Sequence, residues 1–247
     1  MKIKQYLDST YLKTAGQAGL SETENAAVAQ KFIQEAIDEQ FKLIMIRPER
    51  VAMAKEMIAA AKSKVTIGTV IDFPEGRSPI EQKLAEAKQA IADGADDLDF
   101  VCNYEAFKKG EIGLVKEEIL KGTQIGLENH KIVKWIIEVA ALNPQQIVQL
   151  STLIKNVVVG NFKEDCYDQV FVKSSTGFYQ TADNQPNGAT VETIIMMLEN
   201  ASPLPVKAAG GVRTYEEAVQ MIQLGVKRIG TSSAKAIANG QVSDSIY

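Results

Sequence analysis

The sequence predicts an α/β protein, a closed (β/α)8 TIM barrel in a single domain, on three observations. Short β-rich runs alternate along the chain with longer stretches whose apolar residues recur at helical spacing. Eight such runs can be marked, with helix-like stretches between them, and the 247 residues match the roughly 250 typical of this architecture. The main competitor, an open doubly wound sheet, would normally carry a GxGxxG turn after its first strand, and none follows Leu12 or Ile46.

The first run is Tyr6 to Leu12, and the second, Gln40 to Ile46, leads into Glu49 to Lys62 with its helical apolar period. Val65 to Phe73 and Asp97 to Cys102 come next, and strand alternation puts Asp97, Asp99 and Val101 on one face. In the fifth run, Lys131 to Val139, Lys134 and Glu138 share a parity that points two charges toward the interior. Trp135 has the opposite parity and is expected against the helices, while His130 precedes this strand on the side away from the active site. Gln169 to Lys173, Leu204 to Ala208 and Lys227 to Gly230 complete the eight. No long linker or low-complexity stretch intervenes, so residues 1–238 are expected to form the barrel and 239–247 a short, polar, flexible tail.

Composition removes several classes of function. The net charge of -4 and the lack of a basic patch argue against a nucleic-acid partner. Met1 to Asp8 lacks the apolar core of a secretory signal and no later run approaches spanning length, so a cytoplasmic location without membrane attachment is the default expectation. Cys102 and Cys166 have no metal-ligand spacing and are too few for a disulfide framework, so free thiols and no metal or other cofactor are expected.

Active-site groups of such barrels gather at the C-terminal ends of the strands. Lys173 closes the apolar run Val170-Phe171-Val172 and opens into Ser174-Ser175-Thr176-Gly177. Lys207 closes another and opens into Ala208-Ala209-Gly210-Gly211. Taken alone, Lys173 also fits a stem lying on apolar surface with its ammonium in water. Neighbouring strands six and seven would bring the two ammonium groups together, which favours the neutral amine needed to attack a carbonyl. Asp99 reads either as a proton carrier for that chemistry or as an ion-pair partner of a lysine, and the two roles are compatible. Gly210-Gly211 and Gly230-Thr231-Ser232-Ser233 stand where barrels build phosphate sites, although turn glycines and an N-cap serine would leave the same trace.

Three segments carry a resemblance: Phe171-Val172-Lys173-Ser174-Ser175-Thr176-Gly177-Phe178, Val206-Lys207-Ala208-Ala209-Gly210-Gly211-Val212-Arg213-Thr214 and Arg228-Ile229-Gly230-Thr231-Ser232-Ser233. With Asp8-Ser9-Thr10-Tyr11-Leu12-Lys13, Gly68 to Gly76 and Ile136-Ile137-Glu138, the chain resembles the deoxyribose-phosphate aldolases over nearly its whole length. That resemblance implies a metal-free class I aldolase splitting 2-deoxy-D-ribose 5-phosphate reversibly into D-glyceraldehyde 3-phosphate and acetaldehyde. It implies Lys173 as the Schiff-base lysine, Lys207 as its perturbing neighbour, Asp99 in proton relay, and Asp8 and Thr10 at the floor of the substrate site. Phosphate binding is implied for Gly177, Gly210, Gly211, Gly230, Ser232 and Ser233, with Thr176 a weaker addition. Family tails often end in tyrosine and reach the active site, which makes Tyr247 a candidate for proton transfer at the enamine carbon. Such barrels are often dimers, so a homodimer is among the expectations. Two other functions are weighed beside this one: a Schiff-base lyase for a different phosphorylated sugar, and a non-catalytic sugar-phosphate binding barrel.

The chain departs from the family pattern at several positions. Ser9 replaces a common histidine, Asp72 a glycine, Val139 a threonine, Phe178 a lysine found near the phosphate in some members, and Met45 a cysteine. The loss of the lysine leaves backbone groups or Arg213 to neutralise a phosphate.

Overall fold

In a computed structural model, which describes residues 2–182 and 185–241, eight parallel strands close into a barrel in chain order. They are β1 (Leu7–Tyr11), β2 (Leu43–Ile46), β3 (Thr66–Ile71), β4 (Asp97–Val101), β5 (Ile132–Ile136), β6 (Val170–Lys173), β7 (Val206–Ala209) and β8 (Arg228–Thr231). Outside β1 run α1 (Ala15–Ala18) and α2 (Glu22–Glu39); α3 (Val51–Ala60) follows β2 and α4 (Ile80–Asp93) follows β3. After β4 come α5 (Tyr104–Lys108) and α6 (Ile112–Glu128), after β5 α7 (Pro144–Asn161) and after β6 α8 (Val191–Ala201). The ring ends with α9 (Tyr215–Leu224) after β7 and α10 (Ala234–Ala238) after β8.

Each helix start has a local cause where its cap is a short polar residue. Ser21 with Glu24, Asn143 with Gln146 and Thr214 with Glu217 form reciprocal capping boxes at α2, α7 and α9, satisfying amide groups that the first turn leaves open. The main core lies between the strands and the helices. Trp135 belongs to it as expected: its ring stacks on Phe100 at 4.9 Å and its Nε1–H donates to Thr123 on α6 at 3.0 Å. Gly122 makes that packing feasible, because a Cβ there would stand 2.7 Å from the indole.

Register decides what fills the barrel. Asp99 pairs with Lys134, Lys173 with Lys207, and Lys207 with Arg228, so these alternate residues share the inner face. On the opposite side Leu43, Met45 and Val70 form a separate apolar cluster with Leu12. The interior is thus charged over most of its strands and apolar at β2 and β3. Ser9 has the opposite parity to Asp8 and Thr10, which places that departure from the family pattern outside the inner layer.

Several strand limits fall short of the predicted ones, and three of these lie beside a residue with positive φ. Gln40, at φ 54°, caps α2, so β2 begins at Leu43. Asp72, at φ 54°, ends β3 two residues before Phe73. Glu138, at φ 55°, turns the chain into a 3-10 segment, Val139–Ala141, after β5 has stopped at Ile136. Asp72 repays its backbone conformation locally, since its carboxylate accepts the Ser78 N–H at 2.8 Å and the Ser78 hydroxyl at 2.7 Å. A backbone conformation that suits glycine is here held by side-chain bonds. The helix expected over Glu49 to Lys62 is a 3-10 turn, Pro48–Arg50, followed by α3.

Candidate active site

Lys173, the last residue of β6, directs its Nζ to Asp99 Oδ2 at 2.9 Å. Lys207 reaches the same oxygen at 3.0 Å and Asp8 Oδ2 at 2.7 Å. Asp99 Oδ1 is occupied by Lys134 at 2.8 Å, and Lys134 also meets Asp97 Oδ2 at 2.6 Å. Arg228 completes the set, its Nε donating to Asp8 Oδ1 at 2.8 Å and an Nη to Asp97 Oδ2 at 3.3 Å. All seven side chains are buried.

The lysine pair differs from the sequence expectation in one respect. Lys207 does not project into the mouth beside Lys173; it is fully buried beneath, while Lys173 alone of the two lines the open cavity. Gly230 gives Lys207 this room, because a Cβ on Gly230 would stand 3.1 Å from Lys207 Cε. Asp8 likewise sits below the cavity wall, which Thr10 lines, and touches the reaction centre only through Lys207.

Burial and charge set the proton states. Burial lowers the Lys173 pKa to about 8, with Lys207 and Lys134 pushing the same way and Asp99 opposing. Burial would raise the Asp99 carboxyl, but Lys134, Lys173 and Lys207 hold it well below the usual carboxylate range. Asp8 is held down in the same manner, against its burial, by Arg228 and Lys207. An amine with a lowered pKa beside an ionised carboxylate is equipped for nucleophilic addition and for proton transfer.

Above Lys173 the cavity wall is made of Thr176, Gly177, Gly210, Gly211, Gly230 and Ser232, with Asn187 and Arg213 beside them. Gly177, Gly210 and Gly211 have φ of 82°, 81° and 85°, a region that side chains other than glycine seldom enter. Gly188 packs so close to Gly210 that a Cβ would stand 2.4 Å from its carbonyl oxygen. Asn187 ties this segment to the β6 loop by donating to Gly177 O at 3.1 Å. Ser174 bridges to β7, donating to Ala209 O at 2.8 Å and accepting from the Ala209 N–H at 2.9 Å. Ser233 stands behind the wall, its N–H donating to Thr231 Oγ1 at 3.0 Å. Glu138 accepts the Thr176 N–H at 3.1 Å and also the Thr176 hydroxyl, fixing the residue that begins the loop; burial raises its pKa. Phe178 packs edge-on against Phe73 at 5.1 Å, and Arg213 is the cation on the cavity wall apart from Lys173. Tyr247 lies outside the described residues.

The description DeoC/LacD family aldolase applies to residues 16–243, matched by that family's profile. The chain belongs to the DeoC/LacD aldolase family. A deoxyribose-phosphate aldolase of Thermococcus gammatolerans is 38% identical over 241 residues, covering 97% of this chain and 96% of that one. Among solved structures, an aldolase designated QR15 is 31% identical with a TM-score of 0.78, covering 97% of this chain and 95% of its own. A tetrameric deoxyribose phosphate aldolase of Aeropyrum pernix is 25% identical with a TM-score of 0.77, covering 96% and 89%. No helix among the described residues of this aldolase is long and apolar enough to cross a membrane.

Asp97, Arg228 and Asn187 were not singled out as site residues by the sequence, and Lys134 only as an inward charge. Strand parity marks Asp97 and Lys134 as interior. Arg228 follows Lys227 at the start of β8 and has the local look of a surface cation, and Asn187 lies in a polar loop without period.

Proposed function

We propose that this chain is a class I aldolase that cleaves 2-deoxy-D-ribose 5-phosphate reversibly to D-glyceraldehyde 3-phosphate and acetaldehyde, with Lys173 as the imine-forming residue. The observation that carries the reading is Lys173 itself: an amine with its pKa lowered to about 8, at the base of a glycine-rich cavity, with a carboxylate 2.9 Å away. Its neutral Nζ adds to the C1 aldehyde of the open sugar, and loss of water from the carbinolamine gives the protonated imine. The C2–C3 bond then breaks, its electrons passing into the imine as an enamine while the C3 hydroxyl gives up its proton and becomes the aldehyde of the departing triose phosphate. Protonation at C2 and hydrolysis release acetaldehyde and restore the amine. Asp99 is the carboxylate placed to carry protons in the carbinolamine step, with Lys207 holding it from below.

Gly177, Gly210, Gly211 and Ser232, with Arg213, are the groups suited to the 5-phosphate, through backbone N–H donors, a hydroxyl and one guanidinium. Residues 1–238 as the barrel aldolase domain, with a tail of residues 239–247 that brings Tyr247 to the active site as a proton donor at C2, belong to the same proposal. Deletion of Tyr247 is expected to lower turnover far more than it lowers Tm, and equal turnover in the truncated protein removes that role. A homodimer is also part of the reading, and light scattering on the eluted protein tests it against monomer and tetramer.

Borohydride reduction in the presence of acetaldehyde is expected to fix one ethyl group on Lys173. A coupled assay offering deoxyribose 5-phosphate beside ribose 5-phosphate and other sugar phosphates decides the substrate. Absence of the adduct overturns the imine mechanism, and faster cleavage of another sugar phosphate overturns the substrate.

A further inference from the structure

The ion pairs beneath Lys173 close on themselves. In order they run Asp99, Lys134, Asp97, Arg228, Asp8, Lys207 and back to Asp99, with contacts between 2.6 and 3.3 Å. Three carboxylates alternate with three cations, and every member comes from the inner face of β1, β4, β5, β7 or β8. Lys173 hangs from this ring at Asp99 Oδ2, an oxygen it shares with Lys207. It is the seventh charge, with no carboxylate of its own.

We propose that Asp97 and Arg228, on the far side of the ring from Lys173, are positioning residues that set its readiness to react by keeping the ring charge-balanced. The inference rests on Lys173 being the imine-forming amine. Were Asp8 or Asp97 left without Arg228, the ring would carry a surplus negative charge and hold the Lys173 proton. Were Asp97 neutral, a surplus positive charge would drive that proton off. The groups that face Lys173 are Asp99 from β4, Lys207 from β7, Lys134 from β5 and Glu138 from the turn after β5. The first three belong to the ring, and Glu138 is unchanged in every variant considered below.

The test is the rate of cyanoborohydride trapping of acetaldehyde on Lys173, located by peptide mapping, as a function of pH. The ring predicts opposite shifts: Arg228→Gln moves the midpoint up by about one pH unit and Asp97→Asn moves it down by a similar amount. Arg228→Lys, which keeps the charge, returns the parental midpoint, as does the double variant Asp97→Asn with Arg228→Gln. Loss of packing alone would not give shifts of opposite sign, nor would it be repaired by combining two substitutions. If one single variant does not fold, the other and Arg228→Lys still carry the prediction. Midpoints equal to the parent's in the single variants, or moved in the same direction in both, overturn the inference while leaving the aldolase reading intact. A parent protein that traps no acetaldehyde on Lys173 removes both.

Discussion

Among the lysines buried against carboxylates in this barrel, Lys83 and Lys173 have surroundings that differ in a way that separates structure from chemistry. Lys83 on α4 donates to Gly76 O at 2.9 Å, Val101 O at 2.8 Å and Glu118 Oε2 at 2.8 Å, with Asp72 at 3.4 Å. Its ammonium is fully enclosed and every proton has an acceptor. Lys173 has one carboxylate oxygen, shared with Lys207, and opens onto a cavity. A buried ammonium with a full set of acceptors has every N–H engaged and no open side for a substrate; one with a single shared acceptor beside a cavity can release its proton and react. Acceptor count and access, rather than burial, mark the nucleophile.

The sharpest way to break this comparison is to remove each ammonium in turn. Lys173→Met is expected to lower turnover by roughly 10⁴-fold or more, with far-UV dichroism unchanged. Lys83→Met leaves Glu118 buried without its cation and is expected to destabilise the fold by about 3–5 kcal/mol in urea titration. The fraction still folded should turn over normally. Equal effects of the two substitutions on kcat would defeat the distinction.

Stability should respond with opposite sign at the two positions. The Lys173 pKa is lowered from 10.5 to about 8, so between those values the unfolded chain keeps a proton that the fold has released. Stability therefore rises with pH across that window, and the full penalty is present below about 8. Lys173→Met removes this penalty and is expected to raise stability at pH 7 by roughly 1–2 kcal/mol, after allowing for the lost Asp99 contact. The parent's kcat/KM should climb close to tenfold per pH unit on the acid side, levelling near about 8 as the neutral amine accumulates. A flat profile there would mean that Lys173 is neutral throughout.

How much of this was open to reading from the sequence depends on how far apart the partners lie. Lys173, Lys207 and Asp99 each occupy a strand end or an alternating position and could be named from local pattern. The ring could not, because its closure joins Arg228 to Asp8 across 220 residues of chain, a contact fixed by barrel register. The same holds for Lys83, which looks like a solvent-facing helix residue until the Gly76 turn and β4 fold over it. Strand ends were missed at Gln40, Asp72 and Glu138 because their left-handed backbone leaves no mark in a side chain of that type.

Glycines beside Lys207, which shares its carboxylate with Lys173, and beside Lys83 offer a smaller test. At Gly230 a Cβ would meet Lys207 Cε at 3.1 Å and Ala209 Cβ at 3.2 Å. Lys207 is bonded to two carboxylates and yields little, so Gly230→Ala should slow trapping of acetaldehyde about tenfold with little change in Tm. At Gly76, φ 67°, a Cβ would stand 2.5 Å from the Cys102 carbonyl oxygen, a backbone atom. Gly76→Ala should therefore destabilise by about 2 kcal/mol or more and leave the trapping rate of the folded protein unchanged.

The mildest prediction concerns Asp72, a non-glycine residue held in the left-handed region. Replacement by glycine relieves a non-glycine residue at φ 54°, yet gives up two hydrogen bonds to Ser78 and the 3.4 Å approach to Lys83. Each hydrogen bond contributes about 1 kcal/mol and the left-handed conformation costs a similar amount. The balance leaves Asp72→Gly less stable by about 1 kcal/mol, with the added freedom of glycine in the unfolded chain pulling the same way. KM for the sugar phosphate should not move, because Asp72 bonds to Ser78 and Lys83 and has no place on the Lys173 cavity wall. A raised KM at unchanged stability would transfer the β3 loop from the Lys83 side of the comparison to the Lys173 side.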